Sequence, residues 1–326
     1  MRLRYRTGGT VKITTLIPAY KTQYQEELLS SLLHQTMPPN KVIISDDSPG
    51  QAFTRMLRDE PMASRLGGLD LEILEGPQRG GLANYLHLLR TWGGATELVH
   101  ILLDDDLIYP EFYERHYLAH ATKRFPCTIS RRWTARESGQ PVGRLAVPNT
   151  MASHASRMIA VSADQAFATT LPRRYNWFGE VSNAVFRAEM AGTLETLQID
   201  GISFRGLEDL GAFLVAGLET PFCFLNDFLG AFRQNPHQHS ADLASLEMKL
   251  SNLAWVPLAI VGRRRGLLSG DKAAECFTQT CTAVGRDYYG QADLAGFNAV
   301  LPALASGNAE AEEQFLDLWS HFIRGS

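Results

Sequence analysis

An apolar run carrying Val99, Ile101, Leu102 and Leu103 ends in three consecutive carboxylates, Asp104, Asp105 and Asp106. No Gly or Pro interrupts the run before Pro110, and its length suits one buried strand. Carboxylates crowded at the end of a buried strand repel one another and lose solvation, so they need a cation or hydrogen-bond donors. A hard divalent ion such as Mg²⁺ or Mn²⁺ meets that need, commonly together with nucleotide phosphates. The plainer reading is an acidic loop whose Asp residues cap the helix after Pro110.

The segments around this run repeat its pattern. Val11 to Ile17 is β-branched and leads into Pro18, Ala19 and Tyr20. Leu28, Leu29, Leu32 and Leu33 lie on one face of a helix over 26–35, stopped by Pro38 and Pro39. Val42 to Ile44 is a second strand ending in acid, at Asp46 and Asp47. A short helix over 52–57, a third strand over 69–74 and a helix opened by Arg79, Gly80 and Gly81 and running through Trp92 precede the fourth strand. Strands alternating with helices predict an α/β fold with a mostly parallel central sheet, flanked by helices. Ligands of such sheets sit outside the carboxyl ends of the strands, where Pro18, Tyr20, Asp47 and the Asp cluster fall. No GxGxxG follows the first strand and no GxxxxGK[ST] occurs, so neither a Rossmann dehydrogenase nor a P-loop phosphotransferase is supported.

The second half is looser. Residues 126–180 mix Pro, Gly and Arg with β-like runs at 144–147 and 157–161, and 181–186 reads as a strand. Trp177 and Phe178 stand in a Gly-containing loop, where an aromatic face could stack on a sugar ring or pack in a core. Glu208 and Asp209 open an apolar helix, a position the helix dipole favours by itself. A strand-rich stretch over 222–232 leads to Arg233, His237 and His239. From residue 241 the pattern is helical: 243–261 with a break at Pro257, then 271–285 and 310–323. The expected organisation is a catalytic domain over 1–240, with a nucleotide-binding half (about 10–120) and an acceptor-side half (121–240), followed by a helical region over 241–326.

Composition limits the function classes. A net charge of -4 argues against nucleic-acid binding. The 4 cysteines form no CxxC pair and suit free thiols in a reducing compartment. The basic start of the chain lacks a signal-peptide core, and no apolar run reaches the ~20 residues of a membrane span. A cytoplasmic protein is expected, with peripheral contact at the inner face of the membrane left open. Arg263, Arg264 and Arg265 suit such a contact; the helical tail could equally cover the acceptor site or pair two copies of the chain.

The motifs in order are Leu16 to Tyr20, Leu32 to Thr36, Ile43 to Ser48, Gly80 to Asn84 and Leu103 to Asp106. Together they resemble the inverting family 2 glycosyltransferases of the GT-A fold, over about the first third of the chain. The likeness continues more loosely at 177–179, 208–209 and 233–240. It implies that Pro18 and Tyr20 flank a nucleotide base and ribose and that Asp47 accepts a base N–H, as in a uracil reader. Arg79 and Asn84 would lie near the diphosphate or sugar, and Asp104 near the ribose or metal. Asp105 and Asp106 would ligate Mn²⁺ or Mg²⁺, although three Asp residues leave the DxD register open by one. Asp209 would be the catalytic base, with Glu208 beside it, and Trp177 and Phe178 would meet the acceptor. Where many relatives carry a His two residues after Arg233, this chain has Asn235, so His239 or His237 would substitute as a ligand.

The resemblance implies transfer of a sugar from a nucleoside-diphosphate sugar to a hydroxyl, with UDP favoured as the nucleotide and dTDP, which has the same base N–H, as the alternative. The acceptor would be a glycan, a lipid-linked oligosaccharide or a protein, in glycan or surface-polysaccharide assembly. The alternatives are a sugar-phosphate nucleotidyltransferase, which the non-glycine loop after the first strand opposes, and a non-catalytic glycan- or nucleotide-sugar-binding module.

Overall fold

The computed structural model describes residues 11–60, 62–234 and 242–325. Its strands in chain order are β1 Ile13–Ala19, β2 Lys41–Asp46, β3 Leu71–Glu75, β4 Leu98–Ile101, β5 Leu107–Ile108, β6 Cys127–Ala135, β7 Pro141–Arg144, β8 Met158–Val161, β9 Ala184–Arg187, β10 Gln198–Ile199, β11 Ile202–Ser203 and β12 Phe222–Arg233. Two compact units form: residues 1–132, 181–191 and 227–232, and residues 133–180, 192–226 and 233–326. The division falls inside β6 and β12. The helical C-terminal region shares its unit with 133–180 and 192–226.

In the first unit the sheet runs β3-β2-β1-β4-β9-β6-β12-β5. β1 pairs in parallel with β2 and β4, and β2 in parallel with β3. Beyond β4 the pairing turns antiparallel, as in β4 with β9 and β9 with β6. The α/β class and the parallel first half are as expected. β1, β2 and β4 are buried along almost their whole length, because a parallel sheet is covered on both faces. The helix Gln25–Leu33 buries Leu28, Leu29 and Leu32. The helix Gly81–Trp92 buries Leu88, Leu89 and Trp92, and ends at Gly93, whose left-handed φ of 53° closes it.

The helix Phe112–Thr122 buries Phe112, Tyr113, His116 and His120. His100 on β4 places Nε2 3.0 Å from the Ser182 carbonyl, so that nitrogen carries the proton. Its Nδ1 then accepts from the Tyr113 hydroxyl at 2.9 Å, and Tyr113 accepts from Thr15 Oγ1 at 2.6 Å. Burial holds His100 down to about 4 and His120 down to about 3, and pushes His116 well below the usual range. All three are neutral core residues at pH 7.

In the second unit β7 pairs with 133–135 of β6, β8 pairs with 222–225 of β12, and β10 with β11 forms a hairpin. The C-terminal helices are Leu246–Leu253, Trp255–Arg264, Gly270–Asp287, Ala295–Ala305 and Ala309–Arg324. Ser245, Ser269 and Asn308 cap three of them with side-chain oxygens. The break expected at Pro257 falls instead at Ala254. Pro257 sits in the first turn of the next helix, where a missing N–H leaves no bond unmade.

Candidate active site

The carboxyl ends of β1, β2 and β4 meet in register: Leu16 lies beside Ile101 and Ala19 beside Asp46. Beyond them the chain makes a set of polar loop contacts. Leu102 N–H continues the ladder to Leu16 O at 2.9 Å, and Asp106 N–H turns back to Leu103 O at 3.1 Å. Leu103 N–H donates to Ser182 Oγ at 3.1 Å. This turn delivers Asp104, Asp105 and Asp106, all buried.

Asp104 Oδ2 accepts two backbone N–H groups, from Tyr20 and Lys21, each at 2.6 Å. Burial nevertheless pushes Asp104 up to about 6, with the Asp105 charge adding to the rise against those N–H groups. The Lys21 ammonium is ion-paired to Asp105 Oδ2. Burial tends to lower its pKa, but Asp105 chiefly, with Asp104 and Asp106, holds it above the usual lysine range. In the sequence Lys21 reads only as a loop residue after Tyr20, with no pattern that marks it.

Asp46 and Asp47 divide their labour. Asp46 is fully buried and accepts from Ser48 N–H (2.9 Å), Ser48 Oγ–H (2.5 Å) and Thr54 N–H (2.8 Å). Burial raises its pKa, and these donors outweigh burial and hold it below the ordinary range. It builds the turn. Asp47 is tied to β1 through its N–H to Ala19 O at 2.9 Å. Its Oδ1 accepts from Gln78 N–H at 2.6 Å, and among the described residues its carboxylate takes no other hydrogen bond. Gly76 makes this approach feasible: a Cβ there would lie 2.4 Å from Asp47 Oδ1 and 2.9 Å from Asp46 O.

Other site candidates fall around this frame. Tyr20 is 58% exposed, an open aromatic face beside the Asp104 turn. Pro18 is half-buried within β1. Arg79 is exposed, in the loop before Gly80 (φ 90°) and the helix Gly81–Trp92. Asn84 is buried; its amide donates to Ser45 O at 3.0 Å and pins that helix to the end of β2. Its Oδ1 is buried without a hydrogen-bond partner among the described residues.

In the second unit, Glu208 and Asp209 begin the helix Glu208–Ala216 as expected. Glu208 Oε1 accepts from Gly206 N–H at 2.8 Å, which makes Glu208 part of the turn into the helix. Asp209 is half-buried. Trp177 and Phe178 correct the expectation of acceptor contact: they are 0% and 1% exposed. Their ring centroids lie 4.1 Å apart; Phe224 stands 5.1 Å from Trp177, and Phe222 5.2 Å from Phe178. Trp177 Nε1–H donates to Thr169 Oγ1 at 3.0 Å. These rings are core, closed to a sugar.

The Arg263 to Arg265 cluster is spent within the chain. Arg263 pairs with Glu312, Arg264 with Glu312 and Glu313 (2.8 and 2.6 Å), and Arg265 Nε with Asp200 (2.6 Å). The positive charge that suggested a membrane surface therefore faces acids of the same unit. Among the described residues no helix is long and apolar enough to cross a membrane.

Asp105 and Asp106 are the hard-oxygen donors expected for Mg²⁺ or Mn²⁺, and the cation that Asp105 meets within the chain is the Lys21 ammonium. Among the described residues, however, no three His, Cys, Asp or Glu side chains are gathered to hold a metal. His237 and His239 lie outside the described residues.

No protein-family model and no curated protein sequence matches the chain. Solved structures do. Residues 1–349 of S. aureus TarS in complex with UDP-GlcNAc align with a TM-score of 0.53 at 14% identity, over 97% of this chain and 92% of that one. The same TarS segment in complex with UDP gives 0.50 at 14% identity, over the same shares. A longer TarS structure gives 0.51 at 15% identity, over 93% of this chain and 54% of that one. The fold is GT-A-like. At this identity the likeness speaks for the arrangement of strands and helices, along nearly the whole chain.

Proposed function

We propose that this chain is an inverting glycosyltransferase that moves a sugar from a nucleoside-diphosphate sugar to a hydroxyl acceptor. The observation that carries the reading is the convergence of Tyr20, Asp47 and the Asp104 turn at the carboxyl ends of β1, β2 and β4. An α/β sheet binds its ligand at that edge. The likeness to a protein solved with UDP-GlcNAc and with UDP agrees with it.

In this reading Tyr20 offers its exposed ring to the base, with Pro18 beside it. Asp47, held through Oδ1 by Gln78 N–H, accepts the base N–H on its other oxygen, a match for uracil. Arg79, on the exposed loop at the start of the Gly81–Trp92 helix, places a guanidinium for the diphosphate. Asn84 supports that loop from within. Asp105 and Asp106 would hold Mn²⁺ or Mg²⁺, which when bound offsets charge on the departing diphosphate. Asp209 takes the proton of the acceptor hydroxyl, a contribution worth typically ~10²–10⁴-fold. One base and one displacement give inversion, with no carboxylate nucleophile. The acceptor class is a glycan, a lipid-linked oligosaccharide or a protein hydroxyl.

A thermal-shift screen of nucleoside diphosphates and nucleotide sugars, with and without Mn²⁺, tests this. UDP and a UDP-sugar should raise the melting temperature, and purine diphosphates should not. Equal responses to all bases, or none, would sink the donor assignment.

A further inference from the structure

Lys21 is bound into the Asp cluster twice. Its backbone N–H donates to Asp104 Oδ2 at 2.6 Å, and its ammonium sits on Asp105 Oδ2. The first contact fixes where the side chain starts, and the second places a positive charge on a carboxylate that would otherwise ligate a metal. The Asp105 side chain is 9% exposed and that of Lys21 31%, so the pair is more weakly screened than a surface ion pair, while the lysine can still leave toward solvent. We propose that Lys21 is a built-in counter-cation that competes with divalent metal for Asp105 and so makes metal binding depend on the nucleotide. This rests on the donor-site reading above.

The physical basis is charge balance. Three clustered carboxylates need positive charge, and a tethered ammonium supplies it at high local concentration without a diphosphate. A divalent ion arriving alone must displace Lys21 and meets its repulsion. A diphosphate brings further negative charge, so metal and ammonium can be held together, and Lys21 is released to a phosphate oxygen. Lys21 is thus a positioning residue for the donor.

The test is Mn²⁺ titration of the full-length protein, reading free Mn²⁺ by electron paramagnetic resonance, with and without UDP. Lys21→Met and Lys21→Gln should bind Mn²⁺ without UDP at least about tenfold more tightly than the unmodified protein. Lys21→Arg, which keeps the charge, should resemble the unmodified protein. The advantage of the neutral variants should shrink once UDP is present. Equal or weaker Mn²⁺ binding by both neutral variants without UDP overturns the proposal. Calorimetric UDP binding by the unmodified protein is measured alongside. Its absence would defeat the donor-site reading, whereas the Mn²⁺ comparison without UDP reports on Lys21 itself.

Discussion

Tyr20 donates its backbone N–H to Asp104 Oδ2 at 2.6 Å, joining residues 84 positions apart. The bond fastens the loop after β1 to the turn after β4, and with it the exposed Tyr20 ring. Asp104 thus acts first as a structural acceptor, and an acid this buried keeps its place through those donors. Its neighbour Asp105 is met instead by a side chain, the Lys21 ammonium.

Asp47→Ala should weaken UDP binding by about tenfold or more, since one good buried hydrogen bond to a charged group is worth ~1.5–3 kcal/mol. Gly76→Ala should weaken it in the same direction, because its new Cβ drives into Asp47 Oδ1. Calorimetry with UDP checks both, with circular dichroism to confirm folding. UDP affinity unchanged in Asp47→Ala would remove Asp47 from the base site.

Asp209→Asn should abolish sugar transfer while leaving UDP affinity within a few fold. Glu208→Gln should retain most transfer, because Glu208 serves Gly206 N–H in the turn. Single-turnover assays on the two variants separate these roles. The reverse pattern, Glu208 essential and Asp209 dispensable, would exchange the assignments.

Trp177→Ala and Phe178→Ala should each cost about 3–5 kcal/mol of stability, as large core aromatics do. Denaturant unfolding measures this. A variant of normal stability but impaired acceptor KM would return these rings to the acceptor site.

Stability should fall as the pH drops from 7 toward 5. His100 and His120 have folded values of about 4 and about 3, and His116 lies well below its usual range, so all three fall below an unfolded value of ~6.5. Their contribution is fully present above pH ~6.5 and is lost as the unfolded chain takes up protons, at about 1.4 kcal/mol per pH unit for each histidine. Asp104 opposes this. Its folded value, raised to about 6, gives a contribution that is present below the ordinary Asp range and lost as the pH rises through 6. Three histidines outweigh one carboxylate. Melting temperatures across this range should fall with acid, and His116→Leu should flatten the slope; a flat profile in the parent protein would contradict the neutral-core assignment.

Much of the first unit could be read from pattern. β1, β2, β4 and the Gly81–Trp92 helix carry their own periodicity and terminators, and the acid at two strand ends is plain in the chain. The fate of aromatic and basic clusters was not legible. Trp177 and Phe178 have the composition of a sugar platform, but Phe213, Phe222 and Phe224 close over them. Arg263 to Arg265 have the composition of a lipid contact, but Glu312, Glu313 and Asp200 meet them. Burial depends on partners distant in the chain, and no local pattern encodes them.

The same distinction holds at the strand ends. That Asp104, Asp105 and Asp106 need compensating charge follows from their adjacency and the apolar run before them, which are local facts. That the compensation comes from Tyr20 and Lys21 is a long-range fact. It exists because β1 and β4 pair in parallel and bring their carboxyl ends side by side. Hydrophobic periodicity places strands in a fold, but the neighbour that each loop meets is set by sheet order, which arises when the whole core is buried together.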